Sequence, residues 1–230
     1  MADPGQPASS RAAATADPPM MHGAKGRFAR FLVSQFGNPR GWFGRLAGWV
    51  MAHRRSNRER NRWTVELLEL HAGDSVLELG CGPGLALAAA IEKVGNGLAV
   101  GVDHSATVLA QAAKRNRAAL ADGRLRLVCR GVENLPADLR DFQAVFAVNS
   151  AGFWQEPVLR LAELRGRMRA GGRIALTEQP RLANATEEGA RMAAKRLAEQ
   201  LQQAGFEQVR VEVATMTGGP VVCALGRAPG

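Results

Sequence analysis

Two carboxylates and a run of glycines stand at spacings that fit a sugar-bearing ligand with a cationic end. Val76-Leu77-Glu78-Leu79 is a short apolar run carrying one acid, and it leads straight into Gly80-Cys81-Gly82-Pro83-Gly84. Glycines there remove Cβ atoms, so a ligand can approach the backbone and the turn can take positive φ. A second apolar run, Leu98–Val102, ends in Asp103. That acid lies about 20 residues beyond the turn, where it can accept hydrogen bonds from both ribose hydroxyls. The pattern is ExGxGxG. Leu85 occupies the position where a dinucleotide fingerprint needs its third glycine. Glu78 would repel a phosphate and attract an ammonium group.

The elements that must position these residues are legible as alternating signals. Strands are expected at 75–79, 98–102, 125–129, 144–148 and 174–177, with helices between them. Ser105 is placed to cap a helix reaching about Ala121, and a further helix is expected over Val158–Met168. Gly171-Gly172 predicts a turn ahead of the fifth strand. A helix over residues 187–203, ended by Gly205, precedes two strands around 209–213 and 221–225. Strands alternating with helices, then a terminal hairpin, predict one doubly wound α/β domain.

Composition narrows the class. The chain has 230 residues, 46% of them hydrophobic and 22% charged, which excludes global disorder. No run approaches the ~20 apolar residues of a membrane-spanning helix. Residues 1–24 carry Pro4, Pro7, Pro18 and Pro19 among small residues and read as a flexible tail rather than a signal peptide. Cys81, Cys129 and Cys223 are scattered with no CxxC pair, and the four histidines never stand four apart. A disulfide framework or metal site is therefore not expected, and a reducing cytoplasm is the expected location.

The net charge of +9 is concentrated. Residues 25–62 hold ten lysines and arginines against one acid, Glu59, and the rest is near neutral. The same segment holds Phe28, Phe31, Phe36, Trp42 and Trp49 at roughly helical spacing. Ser56 and Glu59 form a capping-box pattern for a helix bearing Trp63, Leu67 and Leu70. Residues 25–62 thus read as a basic, aromatic helical arm, and 63–230 as the α/β domain. The arm packs on the sheet, covers a site while attracting an anionic acceptor, or docks on an anionic membrane surface. Nucleic acid is the least favoured partner, since no reader motif is present.

The ExGxGxG strand–turn–helix with Asp103 after the second strand resembles the class I S-adenosylmethionine-dependent methyltransferases, over roughly residues 60–226. The resemblance implies a seven-stranded Rossmann-like sheet, mostly parallel with the last strand antiparallel, and an N-terminal helical lid. It implies S-adenosyl-L-methionine as cofactor, held by Glu78, Gly80, Cys81, Gly82, Gly84, Asp103, His104, Val132, Glu133 and Asn149. The loop Arg130–Pro136 looks like the family's adenine loop. The acid often found at position 131 is replaced by Gly131, leaving backbone or Glu133 to make that contact. The acceptor pocket is implied above the fourth and fifth strands, walled by Trp42, Ser150, Phe153 and Trp154. Asn149-Ser150-Ala151-Gly152 is not the NPPY-type signature of amide or nucleobase amine methylation. Weak candidates for a base are His53 and Glu178. A small or amphiphilic acceptor is expected. A non-catalytic protein of the same fold, using its basic arm on an anionic surface, is the rival reading.

Overall fold

The computed structural model describes residues 55–180 and 185–230, with side chains from Asn57 onward. Trp42, His53 and most of the basic arm lie outside the described residues. The chain runs α1 (Arg55–Leu67), β1 (Val76–Leu79), α2 (Leu85–Val94), β2 (Ala99–Asp103), α3 (Ala106–Arg115), α4 (Arg117–Ala121) and β3 (Leu125–Cys129). It continues with β4 (Phe142–Val148), α5 (Pro157–Arg165), β5 (Met168–Glu178), α6 (Glu187–Gln203), β6 (Glu207–Met216) and β7 (Gly219–Arg227).

The seven strands form one sheet in the order β3-β2-β1-β4-β5-β7-β6. β1 to β5 are parallel, and β7 inserts antiparallel between β5 and β6. This is the expected Rossmann-like sheet. β1 and β2 are buried along their whole length, which is why they read as continuous apolar runs. Strand alternation sends Leu77, Leu79, Val100 and Val145 into the core beneath α5 and α6. Val76, Ala99, Ala144 and Phe146 face the other core, with Val65 of α1, Leu68 just beyond its end, and Ala86 and Leu87 of α2. Glu78 shares the parity of Val76, so its side chain projects toward the α2 face.

The chain winds outward from β1 through β2 to β3, then returns to place β4 on the other flank of β1. Strand order therefore reverses at the β1–β4 junction. Such a switch point leaves a crevice at the carboxyl ends of the strands, where open α/β sheets bind ligands.

Four local expectations are corrected. α1 already runs from Arg55, so Ser56 stands inside the helix and not at its N-cap position, and the helix ends at Leu67, short of Leu70. The helix expected to reach Ala121 breaks at Asn116, whose side chain donates to the Gly84 and Ala112 carbonyls instead of facing water. Gly171-Gly172 does not precede the fifth strand but lies within it. The register slips from Phe142↔Met168 to Ala144↔Arg173, and Gly171 takes φ 71°. The pair forms a bulge, a use of glycine that resembles a turn in sequence. The preceding helix stops at Arg165, so Met168 belongs to β5.

Candidate functional site

A cavity of about 780 Å³ opens at the carboxyl ends of β1, β2, β4 and β5. Its size lies within the ~300–1,000 Å³ of small-molecule sites. Every described residue expected at the cofactor lines it except Gly84, and Ser150, Phe153, Trp154 and Glu178 line it too.

The glycine turn forms the floor. Gly80, Gly82 and Gly84 take φ of 69°, 50° and 73°, a region that favours glycine. A Cβ on Gly84 would meet Asn116 Nδ2 at 2.7 Å and Ala112 Cβ at 3.0 Å, so α3 packs directly against this residue. Gly84 thus fixes the turn from behind, at the N-cap of α2. A Cβ on Gly82 would meet nothing within 4 Å. The turn is therefore tight against protein on one side and open toward the cavity on the other.

Glu78 and Asp103 reach the same hollow from adjacent strands. Glu78 is only 2% exposed, and its Oε2 is buried with no hydrogen-bond partner among the described residues. Burial pushes its carboxyl well above the usual carboxylate range. The Leu87 backbone N–H, at the start of α2, pulls partly the other way, and the Asp103 charge adds to the rise. An unpaired buried acid is expensive unless a donor arrives to meet it. Asp103 accepts from the Gly82 N–H through Oδ2 at 2.9 Å and from the Ser105 N–H through Oδ1 at 2.9 Å. Each oxygen keeps a further lone pair. His104 is half exposed, its Nδ1 3.8 Å from Asp103 Oδ1.

The opposite rim is built by Val132 and Glu133, in a single 3₁₀ turn over Val132–Asn134. A Cβ on Gly131 would fall 2.3 Å from Glu133 Oε2. The Glu133 carboxylate therefore folds back over residue 131, into the space its side chain would need. An acid is present beside this loop although the usual position is glycine.

Beyond the glycine turn the wall changes character. Asn149 takes φ 55°; its Oδ1 accepts from the Gln179 N–H at 2.8 Å, and its buried Nδ2 has no partner among the described residues. Ser150 donates to the Leu79 carbonyl at 2.6 Å. Trp154 both lines the cavity and packs on the core, while Phe153 is 69% exposed. Glu178 pairs with Arg196 of α6.

Several lining residues carry no mark in the sequence. Arg60 is buried and donates to Gln179 Oε1 and Asn57 Oδ1. In sequence it looks like one more solvated cation of a basic run. Gln179 gives its Nε2 hydrogens to the Thr217 and Gly219 carbonyls at 3.3 and 3.2 Å. Extending the strand-end rule one residue past Glu178 would have found it. Gly189, Met192, Ala193 and Arg196 line the cavity at the i, i+3, i+4, i+7 spacing of one helical face.

This donor set fits S-adenosylmethionine. The orphaned Glu78 oxygen, the uncovered Gly82 and the Asp103 lone pairs match its ammonium, its backbone-hugging tail and its ribose.

Comparison with known proteins agrees. Residues 76–172 match a family model described as a methyltransferase domain. An uncharacterized methyltransferase of Bacillus subtilis, YdaC, is 28% identical over 184 residues, covering 80% of this chain and 98% of that protein. A tRNA U34 carboxymethyltransferase of Aeromonas salmonicida is 35% identical over 107 residues, 46% of this chain and 32% of its own length. An S-adenosylmethionine-dependent methyltransferase structure from Aquifex aeolicus superposes with a TM-score of 0.62 at 18% identity, covering 76% of this chain and 94% of that one, a likeness of fold. Residues 76–172 thus match a methyltransferase domain, in agreement with the resemblance to the class I S-adenosylmethionine-dependent methyltransferases.

Proposed function

We propose that this chain transfers a methyl group from S-adenosylmethionine to a small or amphiphilic acceptor bound between the β4 and β5 ends and α6. The observation that carries this reading is one cavity holding both a buried acid with an unpaired oxygen, Glu78, and an apolar wall, Phe153 and Trp154. When bound, S-adenosylmethionine supplies a methyl group on a sulfonium that leaves as a neutral thioether.

The residues divide the work. Glu78 meets the ammonium end and Asp103 the ribose hydroxyls. Gly80, Cys81 and Gly82 let the ligand lie against backbone. His104, Val132 and Glu133 border the adenine side, and Asn149 stands between the two halves. Ser150, Phe153 and Trp154 position the acceptor and exclude water, which is most of what an in-line displacement requires. A base is needed only where the attacking atom carries a proton that must leave. For such an acceptor Glu178 is the acid within reach.

Calorimetry with S-adenosylhomocysteine tests the cofactor half. Wild type should bind, and Asp103→Ala should lose about 1.5–3 kcal/mol, the scale of hydrogen bonds to a charged group. Incubating the protein with methyl-labelled cofactor and a metabolite extract tests the acceptor half. Cofactor binding with no labelled product would favour the non-catalytic reading. The tRNA-modifying relative favours a nucleic-acid acceptor as a second reading. Labelling of bulk tRNA instead of small molecules would select it.

A further inference from the structure

The cavity is chemically divided. Its β1–β2 end presents Glu78 and Asp103, and its far end presents Arg196 on the inward stripe of α6. The Arg196 side chain is 48% exposed, and among the described residues the one partner of its guanidinium is a single oxygen of Glu178. A guanidinium carries five N–H donors in a fork that matches carboxylate and phosphate oxygens. Met192 lies one turn before it on α6 and Phe153 lines the same cavity from the β4 end; they are 65% and 69% exposed, the two most exposed large apolar side chains of the described residues. Together they place a solvent-open apolar surface next to an incompletely used cation, inside a cavity and not on an outer face.

We propose that Arg196 anchors the anionic head of an amphiphilic acceptor whose apolar body lies on Phe153 and Met192. The inference rests on the reading of this end as the acceptor end. The charge distribution supports it, because an acidic end facing a cationic cofactor and a basic end facing an anionic acceptor are each complementary to their ligand. Glu178 plays two parts. It holds the guanidinium in place while the site is free, and it competes with the incoming anion.

The test is calorimetry with octanoate and with octan-1-ol, run on protein with and without saturating S-adenosylhomocysteine. Wild type should bind octanoate about tenfold more tightly than the alcohol, the scale of one charge-assisted hydrogen bond. Arg196→Gln should erase that preference and leave S-adenosylhomocysteine binding unchanged. Glu178→Gln should raise octanoate affinity several-fold, because the competing carboxylate is gone. Met192→Ser should weaken both probes alike. Equal binding of the two probes, no binding of either, or a preference that survives Arg196→Gln would overturn the proposal. Failure of S-adenosylhomocysteine to bind would count against the methyltransferase reading alone, since the octanoate titration without it still reads the Arg196 site.

Discussion

Ser150 closes the space that a side chain on Gly80 would need: a Cβ on Gly80 would lie 2.4 Å from Ser150 Cβ. The same serine donates to the Leu79 carbonyl at 2.6 Å, pinning the β4 end to the β1 end. Gly80 also takes φ 69°. Gly80→Ala therefore meets both strain and a clash. It should destabilise the fold by about 1–3 kcal/mol in urea denaturation. Ser150→Ala, which keeps the backbone and removes one hydrogen bond, should cost about 1 kcal/mol. A Gly80→Ala protein as stable as wild type would mean that β4 shifts freely away from β1.

Asp103→Asn separates the structural role of this residue from its ligand role. Both oxygens accept backbone N–H bonds, from Gly82 and Ser105. An asparagine has one acceptor, so one N–H would face an NH₂ group. The variant should lose about 1–3 kcal/mol of stability, the range for a buried donor left unpaired. Its S-adenosylhomocysteine affinity should fall as well, read by calorimetry below its melting temperature. Unchanged stability would show that the turn does not depend on these bonds.

Glu78 makes a pH prediction with a definite sign. Its carboxyl lies well above 4.5 in the folded protein, chiefly through burial. The folded state thus holds this proton more tightly than the unfolded chain does. Stability then falls as pH rises from the unfolded value through the raised folded value. Glu78→Gln should accordingly raise the melting temperature of the ligand-free protein at neutral pH. The gain should vanish below about pH 4, where the acid is protonated in both states. On the proposed reading, S-adenosylhomocysteine affinity should drop in the same variant, because a carboxylate oxygen assigned to the ammonium is lost. A variant less stable than wild type at neutral pH would mean that the native carboxylate is already paid for by a partner.

How much of this was legible in the sequence follows from how local each constraint is. The turn at Gly80–Gly84 needs positive φ, a requirement that writes itself into residue type within five positions. Asp103 was found because a βαβ unit has a nearly fixed length. Arg60 and Gln179 were not found, because their bond joins residues 119 apart and nothing in a basic run distinguishes a buried arginine from a solvated one. The Gly171-Gly172 bulge reads as a turn in sequence for a different reason. Glycine pairs permit turns and bulges alike, and only the partner strand decides between them.

Gln179 carries the prediction that reaches furthest across the fold. Its backbone N–H holds Asn149 Oδ1, its Oε1 takes Arg60, and its Nε2 serves two carbonyls of the β6–β7 turn. The residue is 7% exposed, so water cannot replace these bonds cheaply. Gln179→Leu keeps the volume and the backbone bond to Asn149 while removing the side-chain bonds. It leaves the Thr217 and Gly219 carbonyls and the Arg60 guanidinium short of a partner. A loss of about 2–4 kcal/mol is expected, one to three for each orphaned buried group with partial relief by rearrangement. Hydrogen exchange should locate the damage: amides of α1 and of the β6–β7 turn should speed up, while those of β1 and β2 should not. Uniform acceleration across the sheet would show that Gln179 supports the fold as a whole, and no acceleration in α1 would show that its apolar contacts with α2 hold it without Arg60.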